Sequence, residues 1–146
     1  MASRDRDLCA RLPHAGAMCL LDELLAWDVR SLVCTTRSHL EPNNPLRRDG
    51  CLAAIHAVEY AGQASALHSA LVAADGAPVW ALLGALHDLT LERAYLDDLP
   101  AHLVISVFQE LVMGHCASYR FVLSCGELPV AQGRLTVAGQ GAGPRR

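Results

Sequence analysis

The chain has 146 residues, 52% of them hydrophobic and 18% charged, with a formal net charge of −3. That length suits one domain with a sizeable core, the composition excludes disorder for most of the chain, and without a basic run nothing recommends a nucleic-acid partner. Mean hydropathy is +0.23, and surplus apolar surface of this kind points to a buried subunit interface.

Taken in chain order, MASRDRDLCARLPHAG (1–16) carries charge but no apolar core of signal-peptide length, and its first dozen residues predict a short helix or an arm. MCLLDELLAWDV (18–29) fits helix or strand by pattern alone. SLVCTTRS (31–38) is rich in β-formers and predicts a strand, with Asp28 to Ser31 as the turn before it. EPNNPLRRDG (41–50) is a loop. Cys51 to Ala74 is alanine-rich and free of proline, which predicts a long helix capped by Asp49 and ended by Asp75-Gly76. Its apolar residues run nearly all round, as in a helix wrapped by other elements.

The second half changes period. Residues 79–96, 102–113, 116–125 and 128–138 predict four strands, joined by turns in the spacing of an antiparallel meander. The glycine-rich residues 139–146 are expected to be a disordered tail beyond a single domain over 1–138. The apolar stretches are interrupted by polar residues, so no membrane span is expected. Six cysteines, at 9, 19, 34, 51, 116 and 125, form no C-x-x-C pair and are expected to be reduced in a cytoplasmic protein, with no metal site. The fold expected is α+β: one sheet curled around a central helix, the hot-dog arrangement, whose dimer would absorb the surplus apolar surface.

The stretch IHAVEYAGQASA (55–66) places a glutamate in apolar surroundings, where a carboxylate is disfavoured unless paired or protonated. At 100° per residue, Gln63 falls about 40° and His56 about 60° from Glu59, while His68 points to the opposite side. Two readings fit that stripe. A carboxylic acid kept protonated there can deliver a proton to a leaving group, with Gln63 orienting it and His56 as base. Equally, the three side chains can simply satisfy one another in helix packing.

At this point the motifs resemble a known family. EYAGQASA (Glu59 to Ala66) resembles the E-A-M-A-Q-A stretch of hot-dog 3-hydroxyacyl-acyl-carrier-protein dehydratases, and LPHAGAMCLLDELL (12–25) is similar to their L-P-H-R-x-P-F-L-L-V-D-R-V segment. With NNPLRRDG (43–50) and the late Leu-Asp-Asp-Leu-Pro (Leu96 to Pro100), the chain looks most like the dehydratase-like proteins of aryl-polyene pigment clusters, over about Leu12 to Val137. The resemblance implies loss of water from a 3-hydroxyacyl thioester carried on the phosphopantetheine arm of an acyl carrier protein, with no other cofactor. Glu59 inherits the acid role and Gln63 the helper position. Amides around Gly50 and Cys51 would polarise the thioester carbonyl, and Arg47 and Arg48 would meet the arm's phosphate. The family's Gly-His-Phe-Pro-Gly loop is absent: its histidine would align near Asn44-Pro45. His56, His14 at the pocket edge, or a homologous subunit across a dimer interface would have to replace it. Two further readings remain: a hot-dog thioesterase using Asn44 to direct water, and a catalytically reduced partner of an active dehydratase. The chain is expected as a homodimer, a higher oligomer or a heterodimer.

Overall fold

The computed structural model describes residues 8, 19–73 and 80–140. Chain order begins with a hairpin of β1 (Glu23–Trp27) and β2 (Ser31–Thr36). The ambiguous segment around 18–29 therefore resolves to strand. Its turn forms because the Asp28 carboxylate accepts the amides of Arg30 and Ser31, each at 2.8 Å. A 3-10 turn, Ser38–Leu40, leads into the loop, and a second, Ala54–His56, leads into helix α1 (Ala57–Val72). Strands β3 (Trp80–Leu91), β4 (Leu103–Met113), β5 (Cys116–Cys125) and β6 (Leu128–Gln140) follow.

All six strands form one antiparallel sheet in the order β1-β2-β4-β5-β6-β3. Alternation decides which face is buried: Leu103, Ile105 and Val107 on β4, and Tyr119, Phe121 and Leu123 on β5, point to the helix side and are buried. Helix α1 packs against β2 to β6 and buries residues on every side, including Tyr60, Ala64, Leu67 and His68. The hot-dog arrangement is as expected from the sequence.

Five details correct the sequence reading. The meander is β4-β5-β6 only, because β3 docks on the far side of β6 rather than beside β4. The helix starts at Ala57, not Cys51, and His56 occupies the cap position. Asp49 and Gly50 both have positive φ, 54° and 79°, between Arg48 and Cys51, which exchange amide bonds at 2.8 and 2.9 Å. Asp-Gly is thus a two-residue hairpin turn rather than a helix cap. Finally, β6 runs to Gln140, two residues into the stretch read as tail. Cysteines 34, 51, 116 and 125 are free as expected, but Cys19 is disulfide-bonded, which corrects the expectation that all six are reduced. The predicted arm apart from Leu8, the helix end at Ala74 to Gly76 and the final residues 141–146 lie outside the described residues.

A candidate active site on the central helix

Glu59 stands in the first turn of α1, half-buried, and Gln63 lies one turn on, 1% exposed. A buried amide needs partners on both ends, and Gln63 has them. Its Oε1 accepts the Leu20 amide at 2.9 Å, which fixes the side-chain flip and turns Nε2 toward Glu59 Oε2, at 3.4 Å. The N-terminal segment thereby sets the orientation of a group that faces the carboxyl. Half-buried His56 sits three residues before Glu59. His14 lies outside the described residues.

The Leu20 peptide is a hub. Its carbonyl accepts the hydroxyls of Thr36 and Ser38. Ser38 Oγ lies 2.8 Å from the Tyr60 hydroxyl, which also accepts Asn44 Nδ2 at 3.2 Å. Asn44 Nδ2 also reaches the Ser38 carbonyl at 2.8 Å, and Asn44 Oδ1 accepts the Leu46 amide. Both donors of Asn44 are engaged and the residue is buried, so it braces the loop instead of presenting an amide to a substrate. Sequence reasoning missed this network. The available signal was Tyr60 itself, a hydroxyl on an apolar helix that must find a partner once buried.

Arg47 is likewise taken. Its guanidinium donates to the carbonyls of Glu41, Gly50 and His39 at 2.9, 2.7 and 3.0 Å, closing the loop from inside. Arg48 is exposed, and its guanidinium donates to the Arg47 carbonyl at 3.1 Å. The Cys51 amide is bound to the Arg48 carbonyl, so the carbonyl-polarising donors expected at Gly50 and Cys51 do not lie at a helix start.

Between that turn and the 3-10 turn at Ala54–His56 the chain runs extended through Ala53. Leu52 donates to Asp97 Oδ1 at 2.8 Å and accepts the Leu96 amide at 2.8 Å, while Ala53 pairs with Tyr95. The Leu-Asp-Asp-Leu-Pro motif thus braces the approach to α1: Leu96 and Leu99 are buried, and the Leu99 carbonyl lies 2.9 Å from His39 Nε2. His39 Nδ1 is buried with no partner among the described residues. Burial holds the His39 ring below the usual histidine range, against the opposing effect of the Leu99 carbonyl.

On the opposite helix face, His68 Nδ1 meets the Tyr119 hydroxyl at 2.7 Å and Nε2 meets the Asp28 carbonyl at 2.9 Å. A carbonyl only accepts, so Nε2 carries the proton and Tyr119 donates to Nδ1. Ser69 and the amide of Gln109, at 2.9 and 3.1 Å, supply the phenol oxygen with its remaining partners. Burial lowers the His68 pKa and raises that of Tyr119. This second cluster is closed on itself and serves packing.

Among the described residues no group of His, Cys, Asp and Glu could hold a metal ion, and no helix is long and apolar enough to cross a membrane. A comparison with protein families matches residues 7–141 to the family described as "ApeP-like: ApeP dehydratase". Curated proteins give no match. Among solved structures, the chain is similar to one from the dehydratase heterocomplex ApeI:P of Xenorhabdus doucetiae, with a TM-score of 0.80 at 19% identity over 98% of this chain and 94% of that one. It is also similar to Cj0977, a sigma28-regulated virulence protein of Campylobacter jejuni (TM-score 0.65, 10% identity, 94% and 99% covered). A mutant of the thioesterase PA1618 from Pseudomonas aeruginosa follows at a TM-score of 0.57, 18% identity, and 80% and 78% coverage. At such identities these likenesses speak for the fold alone.

Proposed function

The chain belongs to the ApeP-like dehydratase family, and from that membership we propose that it takes part in removing water from a 3-hydroxyacyl thioester held on the phosphopantetheine arm of an acyl carrier protein, in aryl-polyene-type lipid synthesis. The observation that carries the reading is Glu59 in the first turn of a wrapped helix, faced by an amide whose orientation the Leu20 peptide sets.

In the reaction a base takes the proton from the carbon next to the thioester carbonyl. That electron pair forms the new double bond as the C–O bond to the β-hydroxyl breaks, and the leaving hydroxyl departs as water with a proton from Glu59. Gln63 positions the carboxyl. The base is His56 or a histidine from a homologous subunit. The second choice is supported by the neighbour's description as a dehydratase heterocomplex, and by the outer edge of β3, which pairs with no strand among the described residues. The thioesterase alternative loses support because Asn44 is engaged in bracing the loop.

The test incubates the chain, alone and mixed with a histidine-bearing homologue, with 3-hydroxyacyl carrier protein and follows the acyl mass. Loss of water is expected in the mixture; release of free acid would favour the thioesterase. Glu59→Gln should remove dehydration, on the order of 100-fold or more, and full turnover by that variant would take Glu59 out of the reaction.

A further inference from the structure

The outer face of the sheet, away from α1, carries a row of aromatic and cationic side chains. Phe108, Arg120, Arg134 and His87 are successive cross-strand partners on β4, β5, β6 and β3. All four are exposed, while Tyr119, Phe121 and Leu135 beside them are buried on the inner face. Arg120 thus stands directly opposite Arg134, a like-charge pair that destabilises a sheet unless something offsets it.

Two acids offset it in part, and an irregular strand delivers each. Glu110 falls in the register shift of β4 between Gln109 and Leu111. Asp88, with φ 55°, falls in that of β3 between His87 and Thr90. Irregularities of this kind re-aim side chains. Glu110 takes one guanidinium on each oxygen, Arg120 Nη1 at 3.1 Å and Arg134 Nε at 3.2 Å. Asp88 stays 3.7 Å from Arg134 Nη1, beyond hydrogen-bond range. Nη2 of both arginines has no partner among the described residues. Arg120 is also held over the Phe108 ring, 4.9 Å from its centroid, with Arg30 at 5.6 Å from the same centroid. Three guanidinia therefore meet two carboxylates on a chain whose net charge is −3.

Beside the two arginines is an open cavity of about 260 Å³, lined by Arg120, Arg134, Gln132, Val122, Asp88 and Gly133. Glu110 does not line it, so both arginines are anchored by a group outside the cavity that they line. Its volume is below the roughly 300 Å³ at which sites for drug-sized ligands begin, which suits one head group. We infer that this cavity is an anion site for a phosphate monoester, held by Arg120 and Arg134 with the Gln132 amide as a further donor. Two planar forks side by side match the three oxygens and double charge of that group, whereas a single carboxylate satisfies only one fork. Anchoring by Glu110 and Phe108 lowers the ordering cost of the contact. The sheet separates the cavity from Glu59, so the inference is independent of the proposed reaction.

The test titrates the chain with methyl phosphate at pH 7.5, where a monoester is mostly the dianion, and with acetate at the same ionic strength, following backbone amide shifts. Methyl phosphate should give saturating shifts at Arg120 and Gln132 to Arg134, with a dissociation constant on the order of 1 mM. Arg120→Gln and Arg134→Gln should each weaken binding about tenfold. Asp88→Asn, which keeps a residue type suited to the positive φ, should tighten it several-fold, because it removes a competing acid. Unsaturated shifts spread over the surface, acetate binding as tightly as the ester, or affinity unchanged in both arginine variants or in Asp88→Asn would overturn the inference. Given saturable binding, sedimentation with phosphatidate vesicles that Arg134→Gln abolishes would assign a lipid head group as the source, and no sedimentation a soluble ester.

Discussion

Arg47 makes three charged hydrogen bonds to carbonyls from opposite ends of one loop, a geometry that a planar fork can span and an ammonium cannot. Arg47→Ala should lower stability by about 2 kcal/mol, read as a fall in urea midpoint, and Arg47→Lys should recover less than half of it. A full recovery would show that charge alone matters there. The two buried histidines make a prediction of opposite kind. His39 and His68 both sit below the ordinary value of 6.5, mainly through burial. Below that value the unfolded chain binds protons that the folded chain refuses, so stability is full above it and falls as pH drops toward the folded values. Each histidine can add a slope of at most about 1.4 kcal/mol per pH unit. The urea midpoint should therefore fall between pH 7.5 and pH 5.5, and His39→Gln should flatten that fall; an unchanged slope would remove His39 from the account.

Among the elements, β6 passes closest to its neighbours at Gly133 among the described glycines. A Cβ there would stand 3.1 Å from Phe121 Cζ and 3.2 Å from the His87 carbonyl oxygen, beside the irregular register of β3 at Asp88. Neither the buried ring nor the backbone can give way freely, so Gly133→Ala should cost about 1–3 kcal/mol, checked by urea denaturation; a neutral result would mean that β3 shifts at its bulge. Most elements were legible in the sequence because their periods differ: alternation in β4 and β5, all-round apolarity in α1. What was not legible depends on distant partners. Cys51 to Ala53 has the composition of helix, yet Leu52 bonds to Leu96 and Asp97 and Ala53 pairs with Tyr95, which holds this stretch out of the helix. Asp49-Gly50 is a helix stop-start signal and a hairpin signal alike, and the exchange of bonds between Arg48 and Cys51 decides between them. The docking of β3 beside β6 likewise has no local signature.

For the whole molecule, the legible part of the site was the helical stripe, since Glu59 and Gln63 are one turn apart by spacing alone. Its brace was not, because the Leu20 amide lies 43 residues from Gln63 in the chain and a backbone donor leaves no mark in a side-chain pattern. The surplus apolar surface points the same way as the missing histidine. Strand β3 is 12 residues long and its outer edge is unpaired among the described residues, while Leu86 and Leu91 on it are 36% and 39% exposed. Long edges that carry apolar rather than charged side chains invite pairing with another chain. Light scattering should accordingly give a mass about twice that of one chain, or that of a mixed complex when the homologue is present. Replacing both leucines, Leu86→Lys with Leu91→Lys, should shift the assembly toward monomer with the far-ultraviolet dichroism retained. Dehydration in the mixture should fall with the complex if the second subunit supplies the base, and should survive in the monomer if His56 does. An assembly of unchanged mass would place the subunit contact on another surface.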